Sequence, residues 1–236
     1  MEAVLSLRQQ MPKLGAKKIH HLLNKRQESK INKMIGRDKL YKLLKQYELL
    51  VERKRRFVHT TNSNHAFKKY SNLIKGIEVT KKDQVWVSDI TYVKKKEGFS
   101  YVALITDVYS RKIVGFDVSD SLDLTGCVRA LKMALKSGRP EFHHSDRGCQ
   151  YCSKVYTKIL KKSRIQISMT EDGNCYENAV AERLNGILKT EFNMYQTFIN
   201  RKHVQKTLKQ AVKIYNFKRP HWSIGLKTPA ELYNAA

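Results

Sequence analysis

The feature that most constrains this chain is a change of pattern near residue 85. From there QVWVSDITYVKK, FSYVALITDVY and KIVGFDVSD follow one another, each rich in β-branched and aromatic residues. Glu97-Gly98 and Ser110-Arg111 stand at the two junctions. Three such runs joined by tight turns make an antiparallel meander. The sequence then alternates. It predicts a helix over 123–137, a short strand EFHHS, a helix near 153–162, a strand IQISM and a long helix over roughly 175–192. The order β-β-β-α-β-α-β-α predicts a mixed α/β sheet with helices on its faces.

Upstream the pattern is helical. Ile19, Leu22 and Leu23 fall at i, i+3, i+4, and Leu40, Leu43, Leu44 and Tyr47 at i, i+3, i+4, i+7. Both predict short amphipathic helices, over 14–26 and 36–47, the second opened by Gly36 and Asp38. A basic pair of this kind is either a DNA-contacting helix-turn-helix or a plain helical hairpin packed on the core. Arg53, Lys54, Arg55 and Arg56 then open a polar stretch with the character of a linker, a basic run suited to phosphate. The expected organisation is a small all-α region over 1–52, a basic linker over 53–82, an α/β core over 83–195, and a basic helix near 200–217 with a tail packed on the core.

Charge separates these parts. The formal net charge is +25, with 21 Lys and Arg against 6 Asp and Glu in residues 1–82, 17 against 14 in 83–195, and 8 against 1 in 196–236. A nearly neutral centre between basic flanks points to a polyanionic partner, nucleic acid before an anionic membrane surface. No run approaches the ~18 apolar residues of a membrane span, and MEAVLSLRQQMP lacks a signal peptide's apolar stretch. Four cysteines, all after position 126, suit free thiols in a reducing compartment, so a cytoplasmic location is expected.

Three acids stand out by position. Asp89 interrupts the apolar first strand, where a carboxylate is costly unless paired or bound to a cation. Asp146 follows directly on EFHHS, and Glu182 lies in the long helix. On that helix Val180, Leu184, Ile187, Leu188 and Phe192 form an apolar stripe; Asn178, Glu182, Asn185 and Lys189 centre roughly opposite. Around Asp146 the stretch HHSDRGCQYC could be a zinc site, a redox pair, or a loop carrying one catalytic carboxylate. Structural zinc normally takes four ligands, and beyond Cys149 and Cys152 only Cys175 and neighbouring histidines remain, so no zinc is expected. His144 is read as bordering the site, His143 as packing, and Asp107 as shaping the turn into Ser110-Arg111.

Thirty-five residues separate Asp146 from Glu182. An aspartate in the first strand, a second after the fourth and a glutamate at that distance resemble the DDE motif of retroviral-type integrases and bacterial transposases of the ribonuclease H fold. The segments VWVSDITYV, ITDVYSRKIVGFDVS, HSDRGCQY, SMTEDGNCYENAVAERLNGILKTEF and YNFKRPHWSIGLKTP resemble one branch closely, the OrfB transposase subunit of the IS-three family of insertion sequences. PKLGAKKIHHLL is similar to that family's N-terminal helix-turn-helix region. The chain departs mildly, with Cys149 where Ser is usual and Glu177 where Asp is common.

The resemblance implies a ribonuclease H-like core and metal-dependent cleavage and strand transfer at insertion-sequence ends. Asp89, Asp146 and Glu182 would be catalytic and would hold Mg²⁺, with Mn²⁺ able to substitute, Asp89 bridging a pair of ions. Lys189, two turns after Glu182 on the same face, would contact the DNA end; Asn178 would support the site, and Arg147 would approach phosphate. Partners would be transposon-end and target DNA, an OrfA protein as partner or fusion, and further copies in the active complex. Two other readings stay open: a non-catalytic DNA-binding regulator that keeps the fold, and a stand-alone nuclease of ribonuclease H or resolvase type.

Overall fold

The computed structural model describes residues 1–27, 35–51, 65–171 and 178–236. Three helices come first: α1 (Glu2–Gln10), α2 (Ala16–Gln27) and α3 (Arg37–Gln46). The meander follows as β1 (Val85–Lys94), β2 (Phe99–Asp107) and β3 (Ile113–Ser119). Then come α4 (Leu124–Ala134), β4 (Phe142–Ser145), α5 (Cys149–Cys152), α6 (Lys154–Lys162), β5 (Gln166–Met169) and α7 (Ala179–Glu191). The chain ends in α8 (Arg201–Lys218), a short 3-10 turn (Trp222–Ile224) and α9 (Pro229–Ala235). Among the described residues no helix is long and apolar enough to cross a membrane.

The five strands form one mixed sheet in the order β3-β2-β1-β4-β5. β1 pairs antiparallel with β2, placing Asp89 opposite Leu104, and parallel with β4, placing Trp86 beside His143. β1 is therefore central, and the chain after β4 emerges beside its middle. Gly98 takes a φ of 75° at the first reversal, a left-handed conformation that glycine adopts without a Cβ clash. At the second reversal the buried Asp107 accepts hydrogen bonds from the Ser110 amide and hydroxyl and from the Asp83 amide. Asp107 thus shapes the turn, as its position suggests.

Alternation along β2 sorts the core into two layers. Ala103 and Ile105 face α4, α5 and α6, in a cluster with Trp86, Leu131, Tyr156 and Met169. Val102 and Leu104 face the other side, with Leu184, Ile187 and Leu188 of α7 and Leu208 and Val212 of α8. Gly115 lets α4 lie against β3: a Cβ there would stand 2.3 Å from the Ala130 carbonyl oxygen. The second cluster also takes in Leu7, Leu14, Ile19, Leu40 and Leu44, so the N-terminal helices share one core with the sheet. Residues 71–73 run against β5 at the sheet's edge, where Leu73 N donates to Ser168 Oγ and Met169 N to Ser71 O.

Local chemistry explains four of the helix starts. Asp123 caps α4, Ser153 caps α6 and Asn200 caps α8 through side-chain oxygens that accept backbone amides. Thr228 and Glu231 form a reciprocal capping box at α9, with Pro229 in its first turn.

Candidate active site

Asp89 lies on the face of β1 that α7 covers. Its Oδ1 accepts from the Ile90 amide at 2.8 Å and its Oδ2 from Asn185 Nδ2 at 2.6 Å. Burial pushes the Asp89 carboxyl up to about 7, and the charges of Asp146 and Glu182 add to the shift against the pull of those two donors. Asp146 arrives from β4, the parallel neighbour of β1, and its Oδ1 accepts from the Gly148 amide at 3.0 Å. Glu182 sits exposed in the first turn of α7. The fold thus brings Asp146 and Glu182, far apart in sequence, within electrostatic reach of Asp89. Among the described residues no three His, Cys, Asp or Glu side chains converge into a ready-made metal cage.

The two faces of α7 meet the sheet unequally. Leu184, Ile187, Leu188 and Phe192 enter the core, and Val180 packs near Val85 and Val87. The polar face is not simply solvated. Asn178 is buried and its Nδ2 donates to the Ser88 carbonyl at 3.2 Å, tying the start of α7 to β1 beside Asp89. Asn185, three residues after Glu182, turns onto Asp89 itself. Lys189 is half-buried, with Nζ 4.6 Å from the ring centroid of Tyr92 and 6.0 Å from that of Tyr195. Desolvation lowers its pKa, while the Asp89 charge pulls the other way.

The histidines and cysteines beside Asp146 have other partners. His143 Nε2 lies 2.7 Å from Ser88 Oγ and 3.0 Å from the Tyr156 hydroxyl, and burial pushes the imidazole down to about 3. It is a neutral polar link between β1, β4 and α6. His144 Nδ1 lies 2.8 Å from Ser168 Oγ. Burial pushes the Cys127 and Cys152 thiols up to about 12 and 11, and Cys152 Sγ lies against Met169. Such thiols stay protonated near neutral pH, the wrong state for a metal ligand or nucleophile. The Arg147 carbonyl pairs with the His65 ring at 2.8 Å. Arg53, Lys54, Arg55 and Arg56, with Cys175 and Glu177, lie outside the described residues.

Sequence reading misses the contact role of Asn185 and the aromatic setting of Lys189. The helical spacing of Asn185 from Glu182 is a usable signal. Tyr92 and Tyr195 approach only through the tertiary fold. The same holds for Arg219, fully buried in the tail, whose guanidinium clasps Glu191 at the end of α7 at 2.7 and 2.8 Å.

Two integrase core domain models match the chain, one over residues 79–175 and one over 163–229. The 31 kDa protein of insertion element IS600 from Shigella sonnei is 41% identical over 204 residues, covering 84% of this chain and 74% of that protein. The IS629 transposase of Shigella sonnei is 38% identical, covering 75% of this chain and 61% of its own length. The InsF transposase of IS3A from Escherichia coli (strain K12) is 35% identical, covering 64% and 54%. The chain therefore spans between about half and three quarters of these relatives. Among solved structures, the HTLV-2 integrase catalytic core domain in complex with magnesium aligns at a TM-score of 0.53 and 18% identity, covering 65% of this chain and 97% of that one. A simian T-cell lymphotropic virus intasome aligns at 0.60 and 20% identity, covering 75% and 62%. These structures share the ribonuclease H-like fold of the mixed sheet. By its matches to transposase relatives and to the integrase core domain, the chain belongs to the IS3-family transposases.

Proposed function

We propose that this chain carries the catalytic core of a metal-dependent DNA transposase, with Asp89, Asp146 and Glu182 as its catalytic carboxylates. The observation that carries the reading is the placement of the acids: Asp89 on central β1, Asp146 directly after its parallel neighbour β4, and Glu182 in the first turn of α7, whose Asn185 bonds to Asp89. The charges of Asp146 and Glu182 act against that of Asp89, and a divalent cation would offset that repulsion. An all-oxygen donor set suits Mg²⁺ or Mn²⁺. When bound, such ions supply activation of the attacking oxygen and neutralise charge at the leaving one.

The chain's own residues do the positioning. Asn185 and the Ile90 amide hold the two oxygens of Asp89 in fixed directions. Asn178 anchors the start of α7, and with it Glu182, to β1. Lys189, set between Tyr92 and Tyr195, offers a cation to a DNA phosphate near Asp89. Arg147, directly after Asp146, and the basic run Arg53, Lys54, Arg55 and Arg56 extend the phosphate-binding surface. The reaction class is phosphodiester hydrolysis at a transposon end followed by attack of the freed 3′-hydroxyl on target DNA. The partners are those two DNAs, further copies of the chain, and an OrfA protein as partner or fusion. A place in the cytoplasm suits that DNA.

The test uses labelled DNA bearing the element end, with Mg²⁺ or Mn²⁺ or with chelator. Wild type should cut and then join strands only with metal, and Asp146→Asn should bind the DNA and do neither. Cutting without joined product would favour a nuclease. Tight binding by wild type with no metal-dependent cutting would leave a DNA-binding regulator.

A further inference from the structure

The tail RPHWSIGLKTP takes no part in the site described above, yet it is held firmly. The loop from His221 to Lys227 closes on itself: His221 N donates to Lys227 O at 3.0 Å and Leu226 N to His221 O at 2.7 Å. Just before it, Arg219 clasps Glu191. The loop is thus tied to α7, the helix that presents Glu182 and Lys189.

On this rigid loop Trp222 is 57% exposed, whereas the chain's other tryptophan, Trp86, is fully buried. Leaving an indole in water forgoes a large burial gain, so its exposure is not explained by packing. One cation stands beside it. Lys17 of α2 is exposed, with Nζ 5.9 Å from the Trp222 ring centroid. Next to Trp222, burial pushes the His221 imidazole down to about 2, and the charges of Arg219, Lys18, Arg111 and Arg183 push the same way. Of these, Arg183 is exposed and directly follows Glu182. Arg183 thus lies within electrostatic reach of His221, the neighbour of Trp222. An exposed ring on a stiff support, beside cations that can meet phosphates, is how proteins bind unpaired nucleic acid strands.

We infer that Trp222, with Lys17 beside it, is a stacking site for an unpaired base of a DNA strand. The site itself stands on its own geometry; only the source of the strand rests on the function proposed above.

Tryptophan emission tests this directly, because Trp86 is shielded and Trp222 is not. Oligo(dT), and duplex with an unpaired overhang, should quench the emission of the full chain; fully paired duplex of equal length should quench it far less. Trp222→Ala should weaken binding of the unpaired probes about 5- to 100-fold, the range of one stacked base, and Trp222→Phe should restore most of it. Lys17→Gln should give a smaller loss. Equal quenching by paired and unpaired probes, or affinities for unpaired probes within about twofold of wild type in Trp222→Ala, would overturn the inference. So would equal losses on paired and unpaired DNA. A wild type quenched by oligo(dT) that never cuts DNA would keep this inference and sink the proposed reaction.

Discussion

Arg219→Met is the perturbation that probes the junction between tail, α7 and N-terminal helices. Arg219 is 1% exposed, and it donates from Nε to Glu191 Oε2 at 2.8 Å and from Nη2 to Oε1 at 2.7 Å. Lys18 of α2 reaches the same carboxylate at 3.0 Å. Burial by itself pushes Glu191 up, but hydrogen bonds and charge from Arg219, backed by Lys18, hold it below the usual carboxylate value of 4.5. Lys18 is the weaker counterion, since burial and the Arg219 charge lower its own pKa more than Glu191 raises it. Removing one member of a buried pair costs about 3–5 kcal/mol, and the remaining Lys18 reduces this to about 2–4 kcal/mol here. Methionine replaces much of the arginine stem, so the cavity contribution is small. The assay is urea unfolding with the slope checked for constancy.

The sign of the pH effect follows from the depressed folded pKa of Glu191. Its stabilisation is present above the unfolded pKa and is lost as pH falls through the lower folded value. The gap between wild type and variant should therefore be widest near neutrality and narrow as pH falls below the usual carboxylate value of 4.5. Adding Glu191→Gln to Arg219→Met should recover part of the loss. A cost under about 1 kcal/mol near neutral pH, or a gap that does not change with pH, would refute the reasoning.

Other consequences follow from the same contacts. Because the Asp89 carboxyl is raised to about 7, the folded state holds its proton longer than the unfolded chain, so metal-free stability should fall as pH rises from about 4 through 7. Asp89→Asn should flatten that decline and stabilise the metal-free fold near pH 8 by about 1–2 kcal/mol, discounted for the minor part of the side chain that stays accessible and read as a higher melting temperature. A lower melting temperature would contradict it. His143, pushed down to about 3, stabilises the fold above its unfolded pKa and loses that as pH falls from 6.5 toward 3; His143→Gln should cost stability at neutral pH yet flatten acid unfolding measured by circular dichroism. In Gly115→Ala the new methyl would meet the Ala130 carbonyl oxygen at 2.3 Å and the Ala134 methyl at 2.8 Å, so urea unfolding should show a loss of about 1–3 kcal/mol.

The sheet was legible in sequence because its strands carry two separate signals, β-branched runs and turn residues at the reversals. The strands at 85, 99 and 113 start where those runs predict. α1 was not legible: EAVLSLRQQ buries only Val4 and Leu7, too few apolar positions to set a period. α9 could have been read, since Thr228, Pro229 and Glu231 spell a capped start. The three acids stood out by strand position and spacing. The polar face of α7 was legible as a face but not as a contact, because periodicity cannot say that β1 lies under its edge. Asn178 gains a supporting place only through the family resemblance and Asn185 none, whereas each bonds to β1. The Arg219–Glu191–Lys18 cluster joins residues from three distant segments, and no local pattern encodes it.

The central claim is that Asp89, Asp146 and Glu182 form one catalytic unit. Joining of pre-cut element-end DNA to a target, in Mg²⁺ and in Mn²⁺, tests it most directly, with Asp89→Asn, Asp146→Asn and Glu182→Gln compared at equal DNA occupancy. Each substitution alone should reduce the joined product by at least about 10²–10³-fold while DNA affinity stays near wild type. A variant lacking any one of the three acids that still joins strands within about tenfold of wild type would contradict it.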